Sequence, residues 1–168
     1  MAKEIERKFL VIRDRWQAFV TSESPEGTPY CQGYIATATP GQSVRVRIAG
    51  ACGFLTIKGP VQGAQGLTRS EFEYPIPVGD AQEMLETLCD RPFISKIRYT
   101  FSCGDNVWEV DEFQEENKGL MVAEVELASE EQCFERPEWL GEEVSGDARY
   151  YNSSLVQRPY ATWNSAEL

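Results

Sequence analysis

Hydrophobic and polar residues alternate with a period of two along most of this chain, which is typical of β-strands whose two faces meet different surroundings. Most of the eight segments with this pattern are rich in β-branched or aromatic residues. They span residues 4–11, 30–37, 43–49, 54–59, 68–76, 95–103, 106–113 and 120–128. Helical patterns are fewer and span residues 14–20, 80–89, 129–139 and 147–158. Residues 1–168 are therefore predicted to form one α+β domain in which strands dominate.

Two of the predicted helices have a suitable residue at their start. Asp80 is followed three residues later by Glu83, which is the spacing of a capping box, and an apolar stripe continues from there. Asp147 precedes the last helical pattern and is predicted to cap that helix. Turn-rich runs at residues 22–29, 39–42, 59–67 and 75–79 are predicted to be loops.

The charged residues share one face of the predicted sheet in seven of the eight strands. In the first strand, for example, Glu4, Glu6 and Lys8 point one way, while Ile5 and Phe9 point the other. The second strand places Gln32 and Tyr34 on this face instead. The face carries seven basic and eight acidic residues: Lys8, Arg45, Arg47, Lys58, Arg69, Lys96 and Arg98, with Glu4, Glu6, Glu71, Glu73, Glu109, Asp111, Glu124 and Glu126.

Two arrangements are compatible with such a face. In an open sheet, helices would cover the apolar face and water would cover the charged one. Eight strands are also enough to close a barrel, whose interior holds side chains or one small ligand. Doublets such as RVR, KIR, EVD and EVE repeat the same spacing of charges, and this regularity favours a charged interior. The second arrangement would create a polar tunnel.

The composition limits the chemistry of that interior. The chain has no His, so catalysis would have to use carboxylates, Lys, Arg, Tyr or a hard metal ion bound through oxygen. Five scattered Cys without a CxxC pair argue against a disulfide framework or a zinc site. The net charge of −11 argues against binding to nucleic acid or an acidic membrane, and we see no export or membrane-spanning segment. We expect a cytoplasmic protein.

Crowded cations inside a tunnel repel one another unless an anion lies between them. Guanidinium groups bind pairs of phosphate oxygens, and ammonium groups act as point charges. A carboxylate cluster without His or Cys suits Mg²⁺ or Mn²⁺, which bridges carboxylates and phosphates. The residues alone therefore predict a metal-polyphosphate site, in which Glu4 and Glu6 hold the metal and Lys8 reaches the phosphate chain.

The same residues resemble the signature of the CYTH superfamily, also called the triphosphate tunnel metalloenzymes. Residues 4–8 match its ExExK motif, and QGY, RVR, TIKG, RSEFE, KIRY, EVD, EVE and RYYN follow in family order over nearly the whole chain. The resemblance implies a closed eight-stranded antiparallel β-barrel whose tunnel binds a triphosphate, with a few flanking helices and a C-terminal helix. The chain most resembles bacterial members that hydrolyse inorganic triphosphate.

The resemblance implies two sets of site residues by position. The substrate-binding set is Lys8, Arg45, Arg47, Lys58, Arg69, Lys96 and Arg98, with Arg149 at the tunnel mouth. The metal-side set is Glu4, Glu6, Asp111, Glu124 and Glu126, with Mg²⁺ or Mn²⁺ as the cofactor. Glu71, Glu73 and Glu109 belong less clearly to either set and could simply hold the basic residues in place.

Hydrolysis of a triphosphate to pyrophosphate and phosphate needs neutralised phosphates, a positioned water and an activated leaving group. The candidates for the base are Lys96 and the pair of Lys8 and Tyr34, since cationic neighbours lower the pKa of an ammonium group. Lys96 is the predicted base, with Lys8 on the phosphate and Tyr34 assisting. Water activated by the metal ion is an alternative, as is a purely electrostatic role for Lys96.

Two other functions stay open at this point: a class IV-type adenylyl cyclase that makes cyclic AMP from ATP, and a non-catalytic module that binds polyphosphate or a nucleotide. The expected partner is a small-molecule triphosphate, bound by a monomer or homodimer.

Overall fold

The computed structural model describes residues 2–62 and 68–166, and the side chains of residues 5–62 and 69–166. Nine β-strands dominate this described part: β1 (Ala2–Val11), β2 (Gly27–Ile35), β3 (Ser43–Ala49), β4 (Cys52–Lys58), β5 (Thr68–Ile76), β6 (Ile94–Cys103), β7 (Asn106–Phe113), β8 (Met121–Glu126) and β9 (Leu140–Glu143). Its α-helices are α1 (Arg13–Glu23), α2 (Val78–Leu88) and α3 (Asn152–Gln157). None of the described helices has the length and apolar character needed to cross a lipid bilayer.

The strands form one antiparallel sheet in the order β5-β4-β3-β2-β6-β7-β8-β1-β9. Residues 2–5 of β1 also pair with residues 68–71 of β5, and the next five residues of β1 pair with β8. The predicted antiparallel α+β fold is confirmed. The description as a closed eight-stranded barrel needs correction, because the sheet has nine strands and only four residue pairs join β5 to β1.

The alternation in β1 shows how the strands separate charge from the apolar core. Lys8 lines a cavity on the inner face, whereas the next residue, Phe9, belongs to a core cluster outside the sheet. Both side chains are buried, so this part of the sheet is covered on both faces. The inner face can therefore hold charged groups while the outer face supplies the apolar burial that stabilises the fold.

Helix α1 covers one region of the outer face with Trp16, which is 1% exposed. Its ring centroid lies 5.4 Å from that of Tyr99 and 5.3 Å from that of Trp139. Trp108 on β7 continues this cluster. The cluster anchors the strands that carry Lys8, and so it fixes one wall of the cavity.

Helix α2 covers a second region, where Ala81 and Leu85 pack with Val46 of β3. The helix begins two residues before Asp80, and Pro77 occupies its N-cap position. The prediction that Asp80 caps this helix is therefore wrong. Asp80 lies in the first turn, where a carboxylate interacts favourably with the helix dipole.

The helix predicted at residues 129–139 does not form, which is a further correction. Pro137 restricts helix formation, and aromatic side chains of this segment pack on the sheet instead. The Phe134 ring centroid lies 5.9 Å from that of Phe9. The chain then enters β9, a strand that the sequence pattern did not predict.

The last predicted helix is divided into two short pieces. Asp147 accepts a hydrogen bond from the backbone N–H of Arg149 and caps a 3₁₀ turn over Ala148–Tyr150. The backbone is extended at Tyr151, and α3 begins at the next residue. Leu155 of α3 is fully buried in a third core cluster, which holds the helix against one end of the sheet.

Candidate functional site

The charged face of the sheet lines a cavity of about 500 Å³. Five strands contribute all seven basic residues predicted from strand parity: Lys8, Arg45, Arg47, Lys58, Arg69, Lys96 and Arg98. Six carboxylates lie among them: Glu6, Glu71, Glu73, Glu109, Glu124 and Glu126. Charged groups separated by up to 120 positions in the chain therefore share one cavity.

Lys8 on β1 and Glu124 on β8 are directly opposite each other in the sheet. Lys8 Nζ lies 3.0 Å from Glu124 Oε1. Burial acts to lower the pKa of Lys8, but the nearby carboxylates of Glu124 and Glu6 outweigh it, and the pKa is raised. Lys8 therefore stays a cation, which suits phosphate binding better than proton transfer.

Lys96 on β6 has the opposite character. Its side chain is 1% exposed, and burial, reinforced by the charge of Arg98, lowers its pKa to about 8 despite the opposing effect of Asp111 and Glu124. Near neutral pH, about a tenth of a lysine population with this pKa is the free amine. Lys96 is thus suited to accept a proton.

Asp111 on β7, predicted as a metal-side carboxylate, is 1% exposed and contacts two basic residues of the cavity. Arg98 donates to both of its carboxylate oxygens at 2.7 Å, and Lys96 Nζ donates to Oδ2 at 2.6 Å. Burial acts to raise the pKa of Asp111, but the charges of Arg98 and Lys96 outweigh burial and lower the pKa below its usual value. The carboxylate therefore stays ionised. Asp111 thus anchors two basic side chains and is not among the residues that line the cavity, and its role on the metal side stays a prediction.

Arg45 and Arg47 on β3 share a single acceptor, Glu73 of β5. Oε2 of Glu73 lies 3.2 Å from Arg45 Nη2, 2.9 Å from Arg47 Nη2 and 2.8 Å from the hydroxyl of Thr56. The Nε atoms of both arginines are buried and have no hydrogen-bond partner within the described residues. Buried N–H groups are normally satisfied, so this corner suits an anion that supplies further acceptor oxygens.

The three carboxylates without a clear assignment each contact a basic residue. Glu73 contacts the two arginines of β3, Lys58 Nζ lies 2.9 Å from Glu71, and Arg98 Nη1 lies 2.5 Å from Glu109. Burial raises the pKa of Glu109, with Arg98 acting against it and Glu124 adding to it. These contacts match the expectation that the carboxylates hold the basic side chains in place.

Glu6 on β1 and Glu126 on β8 are directly opposite in register, and both line the cavity. Like charges at such a position are destabilising, and oxygen donors without His or Cys suit a hard divalent cation between them. Glu124 lies two residues before Glu126, on the same face of β8. The carboxylates of Glu6, Glu124 and Glu126 therefore fit a divalent metal.

One side chain of the predicted metal site lies outside the described residues. Glu4 occupies the next position of this parity on β1, but its side chain is outside the described residues. Within the described part, no three His, Cys, Asp or Glu side chains already form a compact metal-binding group. The assignment of the metal to Glu4, Glu6, Asp111, Glu124 and Glu126 stays a prediction.

The C-terminal segment closes one end of the cavity with Tyr151, Asn152 and Ser153. Arg149, predicted at the mouth, is not part of the cavity lining. It is exposed, Nη2 lies 2.7 Å from Asp147 Oδ2, and its guanidinium carbon lies 5.6 Å from the ring centroid of Trp163. The extended backbone at Tyr151 separates the turn that carries Arg149 from α3, and the role of Arg149 at the tunnel mouth stays a prediction.

Sequence reasoning missed Tyr30, although its parity on β2 matches that of Gln32 and Tyr34. The Tyr30 ring centroid lies 5.2 Å from the guanidinium carbons of both Arg47 and Arg98. An aromatic face attracts cations, so Tyr30 helps to keep these two arginines together. Tyr34, which was predicted to assist catalysis, lines the cavity.

A family model described as the CYTH domain matches residues 2–160 of this chain. An inorganic triphosphatase of Acetivibrio thermocellus is 48% identical over 160 residues, which are 95% of this chain and 97% of the relative. An inorganic triphosphatase of Nitrosomonas europaea is 38% identical over 156 residues, 91% of this chain and 96% of the relative. A crystal structure of an inorganic triphosphatase aligns with a TM-score of 0.60 at 35% identity, covering 91% of this chain and 97% of that one. The similarity thus includes every strand that lines the cavity.

Proposed function

Because this chain belongs to the CYTH domain family, we propose that it hydrolyses inorganic triphosphate to pyrophosphate and phosphate inside the charged cavity. The observation that carries the proposal is the convergence of seven basic side chains from five strands on one space of about 500 Å³. A short polyanion offers oxygen acceptors on every phosphate. It therefore matches a cavity in which the cations are spread over the walls.

We assign phosphate binding to Lys8, Arg45, Arg47, Lys58, Arg69 and Arg98. Guanidinium groups bind two phosphate oxygens at once, and their acidic partners keep them oriented before the substrate arrives. Preorganised charge of this kind stabilises the extra negative charge that develops on the phosphates in the transition state.

We assign the general base to Lys96, because its lowered pKa gives it a free-amine form near neutral pH. In this role its Nζ accepts a proton from the attacking water, while the new P–O bond forms and the bond to the leaving pyrophosphate breaks. Lys8 and Tyr34 contact the phosphate and are proposed to orient it. An electrostatic role for Lys96 is the alternative that the pH profile distinguishes.

The family implies a divalent metal ion, which we propose to be Mg²⁺ or Mn²⁺. Glu6, Glu124 and Glu126 would hold it, together with Glu4 by its position on β1. When bound, the ion supplies positive charge to the phosphate oxygens. The free thiols of Cys31, Cys52, Cys89, Cys103 and Cys133 support a cytoplasmic location, since reduced cysteines are typical of that compartment.

The test is to incubate the protein with tripolyphosphate, ATP or thiamine triphosphate, each with Mg²⁺, Mn²⁺ or a chelator. We expect phosphate and pyrophosphate from tripolyphosphate, and loss of this activity in the chelator. A doubly substituted Arg47→Met, Lys58→Met protein, purified in the same way, controls for contaminating phosphatases. Cyclic AMP from ATP would indicate the cyclase instead, and tight binding without turnover would indicate a non-catalytic module.

A further inference from the structure

A series of three hydrogen bonds links Lys96 to Tyr34 along one end of the cavity. Lys96 Nζ lies 3.3 Å from Asn152 Oδ1, and Gln32 Nε2 lies 3.3 Å from the same oxygen. Gln32 Nε2 also lies 3.1 Å from the hydroxyl oxygen of Tyr34. Gln32 is fully buried. The series joins β6, α3 and β2. The function proposed above gives no role to its two amide side chains, Gln32 and Asn152.

The ammonium form of Lys96, which predominates near neutral pH, fixes the direction of every bond in this series. An ammonium group can only donate, so the Asn152 atom that faces it must be the carbonyl oxygen. The Gln32 atom that faces the same oxygen must then be its amide nitrogen. That nitrogen also donates to Tyr34, so the Tyr34 oxygen accepts, and the Tyr34 hydroxyl proton must point away from Gln32.

The result is that both ends of the series present donors. Tyr34 lines the cavity, so its O–H is left to donate on the cavity side. Lys96 also lines the cavity, and Asp111 and Asn152 accept two of its three N–H groups. In the ammonium form the third N–H faces the cavity, and in the free-amine form the lone pair takes its place. Ionised phosphate oxygens accept hydrogen bonds, so the two donors that face the cavity in the ammonium form match a polyphosphate.

The amide of Gln32 is itself only partly satisfied. Its Oε1 atom is buried and has no hydrogen-bond partner among the described residues. A buried acceptor without a partner destabilises a protein, and an apolar side chain of the same shape would avoid that cost. This favours a role for the Gln32 amide nitrogen over a role in packing.

We propose that Gln32 and Asn152 are positioning residues, which hold the Tyr34 hydroxyl and the Lys96 Nζ at the cavity. There Tyr34 donates to a phosphate ligand, and Lys96 donates to it as an ammonium group or accepts a proton from water as the free amine. The choice of ligand rests on the proposed function. The effect of each positioning residue should pass through Tyr34 or Lys96, so substitutions along the series should not act independently.

The test is a set of mutant cycles built from Gln32→Met, Tyr34→Phe and Asn152→Ala. We expect Gln32→Met alone to weaken tripolyphosphate binding and to lower kcat/KM by about 3- to 10-fold, the size of one or two hydrogen bonds. In the Tyr34→Phe, Asn152→Ala background, the same change should have less than about a twofold effect. Gln157→Met, the matched change at an exposed glutamine of α3, should alter neither quantity.

Binding is measured by calorimetry in the presence of a chelator, so that it does not depend on turnover. Independent effects of the three substitutions, multiplying to their full product, would overturn the positioning role even in an active enzyme. Coupled effects on binding in a protein that releases no phosphate would overturn the triphosphatase and support the positioning role. A wild-type protein that neither binds nor hydrolyses tripolyphosphate would overturn both. If Gln32→Met does not fold, the Tyr34→Phe and Asn152→Ala cycle tests the same series.

Discussion

Lys96 and Asp111 form an ion pair in which Nζ lies 2.6 Å from Oδ2 and both side chains are 1% exposed. Such a pair alone would keep a lysine protonated. Here Arg98 shares the same carboxylate, and its charge together with burial lowers the pKa of Lys96 to about 8. The ion pair therefore holds Lys96 in place without making it a permanent cation.

The first prediction concerns proton transfer by Lys96. In the wild-type enzyme, kcat should rise about tenfold per pH unit below a pKa of about 8 and level off above it, because only the free amine accepts a proton. Lys96→Met should abolish this rise of kcat with pH, which is the acidic limb of the profile. It should also lower kcat by about 10²- to 10⁴-fold, with a smaller change in substrate affinity. The measurement is a pH–rate profile for both proteins, with binding measured separately.

Lys58→Met is the control for the loss of a positive charge. Lys58 lines the same cavity and pairs with Glu71, so its removal should weaken binding while the pH limb stays in place. If Lys96→Met reduces binding and turnover equally and leaves the profile unchanged, Lys96 is an electrostatic clamp and not the base.

The second prediction concerns the stability contributed by Asp111. Asp111→Asn leaves Lys96 and Arg98 without their shared buried carboxylate and should reduce the free energy of unfolding by about 3–5 kcal/mol at pH 7. Because the folded-state pKa of Asp111 is lowered, its contribution is complete above the unfolded-state value of about 4 and is lost as the pH falls through the folded-state value. Urea unfolding of both proteins from pH 7 to pH 3 should therefore show a difference that shrinks only at the acidic end.

Asp147→Asn provides the matched comparison, because Asp147 pairs with Arg149 at the protein surface. Exposed pairs contribute about 0–1 kcal/mol, so this variant should unfold almost like the wild type. Equal losses in the two variants would contradict the special position of Asp111.

The inner face of the sheet could be predicted from the sequence because strand parity is a local property. Residues two apart share a face whatever the strand pairs with, so Arg45 and Arg47 were placed together correctly, as were Lys96 and Arg98. The grouping of these pairs around one cavity then required only that the sheet curve. Parity alone could not decide between an open sheet and a curved one that encloses a cavity. The resemblance to a known family supplied that choice.

Features that depend on distant partners could not be predicted in the same way. Strand β9 has only four residues and exists because it pairs with β1, so it has no alternation of its own to detect. The hydrogen bond between Gln32 and Asn152 joins residues 120 positions apart. The division of the predicted helix at Tyr151 was missed because the sequence has no helix-breaking residue there.

The third prediction concerns Gly33, which lies between Gln32 and Tyr34 on β2. A Cβ atom at this position would lie 2.8 Å from Cys89 Cβ and 3.0 Å from Leu85 Cδ2, so Gly33→Ala must push α2 away from the strand. We expect a loss of about 1–3 kcal/mol in the free energy of unfolding. We also expect lower activity, because Gln32 and Tyr34, on either side of Gly33, belong to the series of hydrogen bonds at the cavity. Gly79→Ala, where nothing lies within 4 Å of the added atom, should instead leave stability unchanged or slightly higher, by up to about 1 kcal/mol. Equal stability of the two variants would show that α2 is not tightly packed on β2.

The fourth prediction concerns the opposed carboxylates of Glu6 and Glu126. If they share a divalent ion, Mg²⁺ or Mn²⁺ should raise the thermal unfolding midpoint of the wild-type protein, because a ligand that binds only the folded state stabilises it. Glu6→Gln and Glu126→Gln each remove one charged donor, so both variants should gain less from the metal and should need a higher metal concentration for half-maximal activity. Glu142→Gln, an exposed carboxylate on β9, should respond like the wild type. Equal metal-induced shifts in all four proteins would place the ion away from this pair, whereas a reduced shift at Glu126 alone would move the site along β8 towards Glu124.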